Sequence, residues 1–115
     1  MNRASGAIDY MDVEKDGMDN PVREKSFAFA IRVVGLYKYL VNKKKEFVLS
    51  KQLLKSGTSI GANVEEGIGG ISREDFRAKL SIAYKEARET KYWLRLLHAT
   101  GFIDEHAFDS MIKDC

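Results

Sequence analysis

Residues 72–101 read SREDFRAKLSIAYKEARETKYWLRLLHATG. Within this stretch Phe76, Leu80, Ala83, Ala87, Thr90, Leu94 and Leu97 recur at alternating steps of four and three. That spacing lines one seam of a helix over roughly five turns, in the manner of a coiled coil or a helical bundle. Ser72 is a good N-cap, and Asp75 three residues on comes close to a capping box. Gly101 ends the helix. A seam this long needs other helices to cover it, so the flanking sequence decides what kind of bundle forms.

Upstream, two further amphipathic helices are expected. Asn20 caps the first, with Pro21 at the position where a missing N–H costs nothing and Glu24 in the first turn, where the helix dipole favours it. This helix carries two apolar stripes: Phe27, Ala30, Ile31, Val34, Tyr37 and Val41 on one, Phe29, Val33, Leu36 and Leu40 on the other. So wide an apolar surface suits a helix buried on two faces, one on the bundle core and one on another subunit. It should end at residues 42–45, where lysines suit a C-terminus.

The second helix is expected from about Glu46 to Glu66, with core positions Leu49, Leu53, Gly57, Ile60 and Val64. Beside them runs a polar stripe of Gln52, Ser56, Ser59, Asn63 and Glu66. This stripe is expected to form a half-buried seam at a helix or subunit contact, with Glu89 facing it. Gly57 and Gly61, four apart, would let a neighbouring backbone approach closely, and Gly67 reads as the stop. Downstream of Gly101, Asp104 caps a last segment with Phe108, Met111, Ile112 and Cys115, about three turns long. Short connections between long helices make neighbours antiparallel. The expected fold is all-α: an antiparallel up-and-down four-helix bundle over residues 20–115, with a short fourth helix and a flexible leader at residues 1–19.

Composition bounds the function. The 115 residues suit one domain, and the lone cysteine, Cys115, excludes an intrachain disulfide. No apolar run approaches the ~18 residues of a membrane span, and the N-terminus lacks the apolar stretch of a signal peptide, so the cytosol is expected. The formal charge of +2 is unevenly spread. Residues 1–19 set two cations against five carboxylates, a balance of −3, while residues 20–115 set 17 against 12, a balance of +5.

Catalytic patterns fail where they can be checked. A di-iron bundle needs Glu-x-x-His on two helices, and Arg95 and Ile103 occupy the places three before His98 and His106. Glu66, Glu86 and Glu89 form a carboxylate group that could hold Mg²⁺, but salt bridges to Lys85 or Arg88 explain them better. The glycines at residues 67–70 lead into Ile-Ser-Arg rather than the Lys-Ser/Thr of a phosphate loop. No catalytic residue, metal site or cofactor is expected. The basic residues are more suggestive: Arg77, Arg88, Lys91 and Arg95 share one strip of the third helix with Tyr84 in line, and Lys43, Lys44 and Lys45 cluster at the first turn, with Lys51 and Lys55 following on the second helix. Such strips can track phosphates, although Glu74, Glu86 and Glu89 would cancel part of the field.

Residues 59–67, SIGANVEEG, resemble the Ser-Ile-x-Ala-Asn-Ile-x-Glu-Gly signature of the bacterial four helix bundle protein family. Its members are encoded within intervening sequences of large-subunit ribosomal RNA genes, and the accessory protein of diversity-generating retroelements is a relative. Residues 52–56, QLLKS, are similar to that family's Gln-Leu-x-Arg-Ser run, and Ile82, Ala83 and residues 89–94, ETKYWL, are similar too. The resemblance spans about residues 20–112. It implies a four-helix protomer assembled with itself into a ring, often of five subunits, with no known catalytic activity. From the retroelement relatives it also implies binding of RNA or DNA, or of a reverse transcriptase, through a basic surface. The charge here is milder than in the strongly basic accessory proteins, and the fourth helix is shorter than usual in the family, as in a truncated chain or a less complete bundle. Two functions therefore compete: a homo-oligomeric accessory protein for nucleic acid or its enzymes, and a purely structural or protein-interaction bundle.

Overall fold

The computed structural model describes residues 20–115, so the leader lies outside the described residues. Four helices follow in order: α1 Pro21–Asn42, α2 Leu49–Ile68, α3 Arg73–Ala99 and α4 Glu105–Asp114. Consecutive helices pack antiparallel, with α2 between α1 and α3 and α4 folded back on α3. No helix among the described residues is long and apolar enough to cross a membrane.

The caps follow local chemistry. Asn20 Oδ1 accepts from the Val22 and Arg23 N–H groups at 2.9 and 3.2 Å. Ser72 Oγ accepts from Asp75 N at 3.0 Å and Asp104 Oδ1 from Ala107 N at 2.8 Å. Each satisfies a donor that the helix itself leaves unpaired. Gly101 adopts φ 86° after α3, a conformation that glycine enters without steric cost.

Two boundaries differ from the sequence reading. Glu46 lies outside α2 and caps it. Its buried carboxylate accepts from Val48 N at 3.2 Å, Leu49 N at 2.8 Å and Ser50 N at 2.6 Å. The chain reaches this position through Lys45 at φ 55°, and Glu46 N donates to Leu40 O at 2.9 Å. Gly67 is not a stop either: α2 continues to Ile68, and Gly67 is buried against α3. A Cβ there would meet Lys79 Cβ at 3.1 Å and Phe76 Cδ1 at 3.2 Å. The glycine is required by packing rather than by a turn.

Burial pushes the Glu46 carboxyl up, but the N–H bonds from Leu49, Ser50 and Val48 outweigh it and hold the group below its ordinary value of 4.5. A depressed folded value contributes stability above the unfolded value, and that contribution fades as pH falls through the folded one. Glu46→Gln is therefore expected to cost about 1 kcal/mol at neutral pH. It should also flatten the loss of stability below pH 4.5, as read from urea melts across pH. Parallel acid profiles for variant and wild type would show that the carboxylate is not the cap.

The core is formed by Phe29, Val33 and Leu40 of α1, Leu53 of α2, Leu94 and Leu97 of α3, Ile103, and Met111 of α4, each buried. Of the two stripes of α1, the one through Phe29, Val33 and Leu40 faces inward. Phe27 and Ile31 of the other remain 68% and 58% exposed. Along α3 the burial is graded: Leu94 and Leu97 are fully enclosed, whereas Phe76 and Leu80 are half-buried. The short α4 explains the gradient. Ten residues reach about 15 Å, against about 40 Å for the 27 of α3. The chain ends beside the middle of α3, where Cys115 Sγ donates to Ala87 O at 3.5 Å. On the other side Arg32 ties α4 to α1, with Nη2 donating to Ser110 Oγ at 2.8 Å and Nη1 pairing with Asp114. Among the described residues, α4 does not reach the N-terminal half of α3.

Candidate nucleic-acid interface

The outward face of α3 carries the basic strip. At 3.6 residues per turn, Arg77, Ser81, Tyr84, Lys85, Arg88, Lys91, Tyr92 and Arg95 all lie within about 60° of Arg88 around the axis. All eight are exposed. Glu86 and Glu89, the carboxylates within residues 77–99, are turned about 160° and about 100° from Arg88. Of the three acidic residues expected to weaken the field, Glu74 alone shares the face, one turn before Arg77. From Arg77 to Arg95 the strip runs for about 27 Å with five cations and no carboxylate in its sector. On α3 itself, from Arg77 to Arg95, no carboxylate shares the sector of the strip, an arrangement that favours phosphate tracking.

Aromatic rings interrupt the cations. The Arg88 guanidinium stands 5.9 Å from the Tyr84 ring centroid, within cation–π range. Tyr92 and Trp93 form a T-shaped pair, centroids 5.0 Å apart, and Trp93 Nε1 donates to Glu89 at 3.1 Å. Trp93 is half-buried and serves as packing, whereas Tyr92 is 52% exposed. At the C-terminal end of the strip a recess of about 330 Å³ opens between α3 and α4, lined by Tyr92, Arg95, Leu96, His98, Ala99 and Phe108. His98 stacks on Phe108 with centroids 4.5 Å apart and planes 11° from parallel.

Lys43, Lys44 and Lys45 are exposed and occupy the α1–α2 loop. They sit at the end of the bundle where α3 also finishes, and no helical register joins them to its strip. Among the described residues no group of three His, Cys, Asp or Glu side chains could hold a metal ion. Burial raises the Cys115 thiol above its ordinary value, only partly offset by Lys91, so it stays protonated at neutral pH.

The polar stripe of α2 borders α3. Ser56 is fully buried and hydrogen-bonds Thr90 across the interface, the two hydroxyl oxygens 2.9 Å apart. Thr90 Oγ1 also lies 2.7 Å from the Glu86 carbonyl. Gln52, Ser59 and Asn63 are half-buried, and Glu66 is exposed. Ser59 Oγ donates to Lys55 O and Asn63 Nδ2 to Ser59 O, both back along their own helix. Glu89 does not face this stripe. It is exposed and holds Trp93, and Thr90 takes the place expected for it, because one residue shifts a helical position by about 100°. The remaining signature residues also make contacts between helices. Gly61 packs on the Ser26 carbonyl, where a Cβ would come within 3.3 Å. Glu65 pairs with Arg23 of α1 at 2.5 Å and Glu66 with Lys79 of α3 at 2.8 Å. The signature thus clasps α2 to both neighbours.

Sequence reasoning missed Thr90 as the partner of Ser56, because its place in the four-three pattern reads as core.

Comparison with known proteins agrees with this construction. No match was found among curated proteins. A solved structure from Bacteroides thetaiotaomicron, a protein of unknown function from the S23 ribosomal protein family, is 56% identical. It superposes with a TM-score of 0.82, covering 84% of this chain and 86% of that one. The 23S rRNA-intervening sequence protein family matches residues 18–115, which include every helix and the whole signature, and the chain belongs to that family.

Proposed function

We propose that this protein is a non-enzymatic, self-associating helical bundle that presents the outer face of α3 to nucleic acid, as an accessory to nucleic acid or to an enzyme acting on it. The observation that carries the reading is the strip of five exposed cations free of carboxylates. One protomer offers few phosphate contacts. Repetition of the strip in an assembly would raise the effective concentration of each contact. Binding would be insensitive to sequence, because phosphates carry no base information.

The test is titration of labelled RNA and duplex DNA at low and moderate salt. Wild-type protein is expected to bind at low salt and to weaken steeply as salt rises. Arg88→Glu/Arg95→Glu should lose at least about tenfold in affinity with its helical content unchanged, since both side chains are exposed. Absence of wild-type binding at low salt, or equal binding by the double variant, would replace this reading with that of a structural or protein-interaction bundle. That second reading draws its support from the signature residues, whose visible contacts are all between or along helices.

A further inference from the structure

We propose that the α3 face takes an unpaired nucleic-acid strand in preference to a duplex, with bases stacked on Tyr84 and Tyr92 and one base seated in the recess beside Arg95. The inference rests on the nucleic-acid reading above and adds to it the form of the ligand. A duplex presents phosphates to a protein surface and keeps its base faces stacked inside. A face adapted to duplex backbone alone has no use for exposed rings among its cations. This face exposes Tyr84 by 63% and Tyr92 by 52%, between Arg77 and Arg95 and on the same sector as Arg88.

The rings are supported as stacking platforms. Arg88 stands against Tyr84, and Trp93, itself fixed by Glu89, meets Tyr92 in a T-shaped contact. Rings held in place lose little freedom when a base lands on them, and aromatic stacking accepts any base. Eight residues separate the two tyrosines, about 12 Å along the helix. That is far more than the 3.4 Å rise between bases in a duplex strand, so the two rings suit bases separated along an extended strand. The cations between and beyond them track its phosphates. The recess supplies the terminus of the path: its volume of about 330 Å³ is at the small end of ligand sites, with Tyr92 and Arg95 in its lining. Base stacking and phosphate contacts are common to both kinds of strand, so RNA and DNA strands should bind alike.

The experiment measures fluorescence anisotropy of a labelled 12-nucleotide RNA strand, the same sequence as DNA, and each annealed to its complement, against the full chain at low salt. Both single strands are expected to bind at least about tenfold more tightly than the duplexes. Tyr84→Leu/Tyr92→Leu should remove that preference, while Tyr84→Phe/Tyr92→Phe should retain it. Arg88→Glu/Arg95→Glu should weaken strands and duplexes together. Equal or tighter wild-type binding of duplex, or unchanged strand binding in the leucine variant, overturns the inference while leaving the nucleic-acid reading intact. No binding of any of the four probes overturns both. The wild-type comparison of strand with duplex decides the matter even where a variant folds poorly.

Discussion

Gly57→Val is expected to destabilise the protein by about 3 kcal/mol, whereas Gly35→Ala should stabilise it by about 1 kcal/mol. Both glycines lie inside helices, where glycine is intrinsically poor, so helix propensity alone predicts a gain at both. Packing reverses the sign at Gly57. A Cβ there would stand 2.7 and 2.8 Å from the two Val33 methyl carbons and 3.2 Å from Val33 Cβ. Val33 is fully buried and β-branched, so both methyls stand in the path and its χ1 has few alternatives. Gly35 is exposed, and a Cβ there meets nothing within 4 Å. Gly57→Ala is the milder test, expected to be net destabilising despite its better propensity, and Val33→Ala in that background should recover part of the loss. Urea denaturation of the four variants checks this. A Gly57→Ala protein as much stabilised as Gly35→Ala would show that α1 and α2 do not approach so closely.

The same pair of helices shows how far the sequence could be read. The glycines four apart on α2 announced a close approach, and the structure places it against α1, at Val33 for Gly57 and at Ser26 for Gly61. Helix number, caps and direction were legible because each rests on local chemistry: Asn20, Ser72 and Asp104 cap as their side chains dictate. The inward stripe of α1 was not legible. Phe27 and Ile31 are as apolar as Phe29 and Val33, and only the position of α2 and α4 decides between them. The ends of α2 were misplaced for a related reason. Glu46 and Gly67 have strong local meanings, as first-turn acid and C-terminal stop, and tertiary contacts gave each a different use. On α3 the basic strip was visible in the spacing, but its freedom from carboxylates depended on the helical phase of Glu86 and Glu89. The polarity of the Ser56–Thr90 contact was hidden because a threonine in an apolar seam looks like filler.

Phe27→Asp/Ile31→Asp is expected to convert an assembly into monomers of 13.0 kDa without unfolding them. Both side chains point away from the core and are more than half exposed, so carboxylates there cost the isolated fold little. Within an interface the same carboxylates would be removed from water without partners, a cost of several kcal/mol that an assembly of ordinary affinity does not tolerate. The face they occupy extends beyond α1. Phe27 and Ala30 continue into a depression of about 260 Å³ shared with Ser26 of α1 and Thr58, Gly61 and Ala62 of α2, with the Arg23–Glu65 pair also in its lining. A stable interface needs about 800 Å² from each partner, more than two side chains provide, and the combined α1–α2 surface is the apolar area that could supply it. Light scattering at micromolar concentration should show a wild-type mass several times that of the chain and a monomeric double variant with the same helical circular dichroism. The variant should also bind nucleic acid more weakly, although α3 is untouched, because separate protomers lose the effective concentration that links their strips. A wild-type protein that is monomeric at that concentration would remove both the interface and the multivalent part of the binding argument. Binding that survives intact in the monomeric variant would show that a single α3 strip suffices.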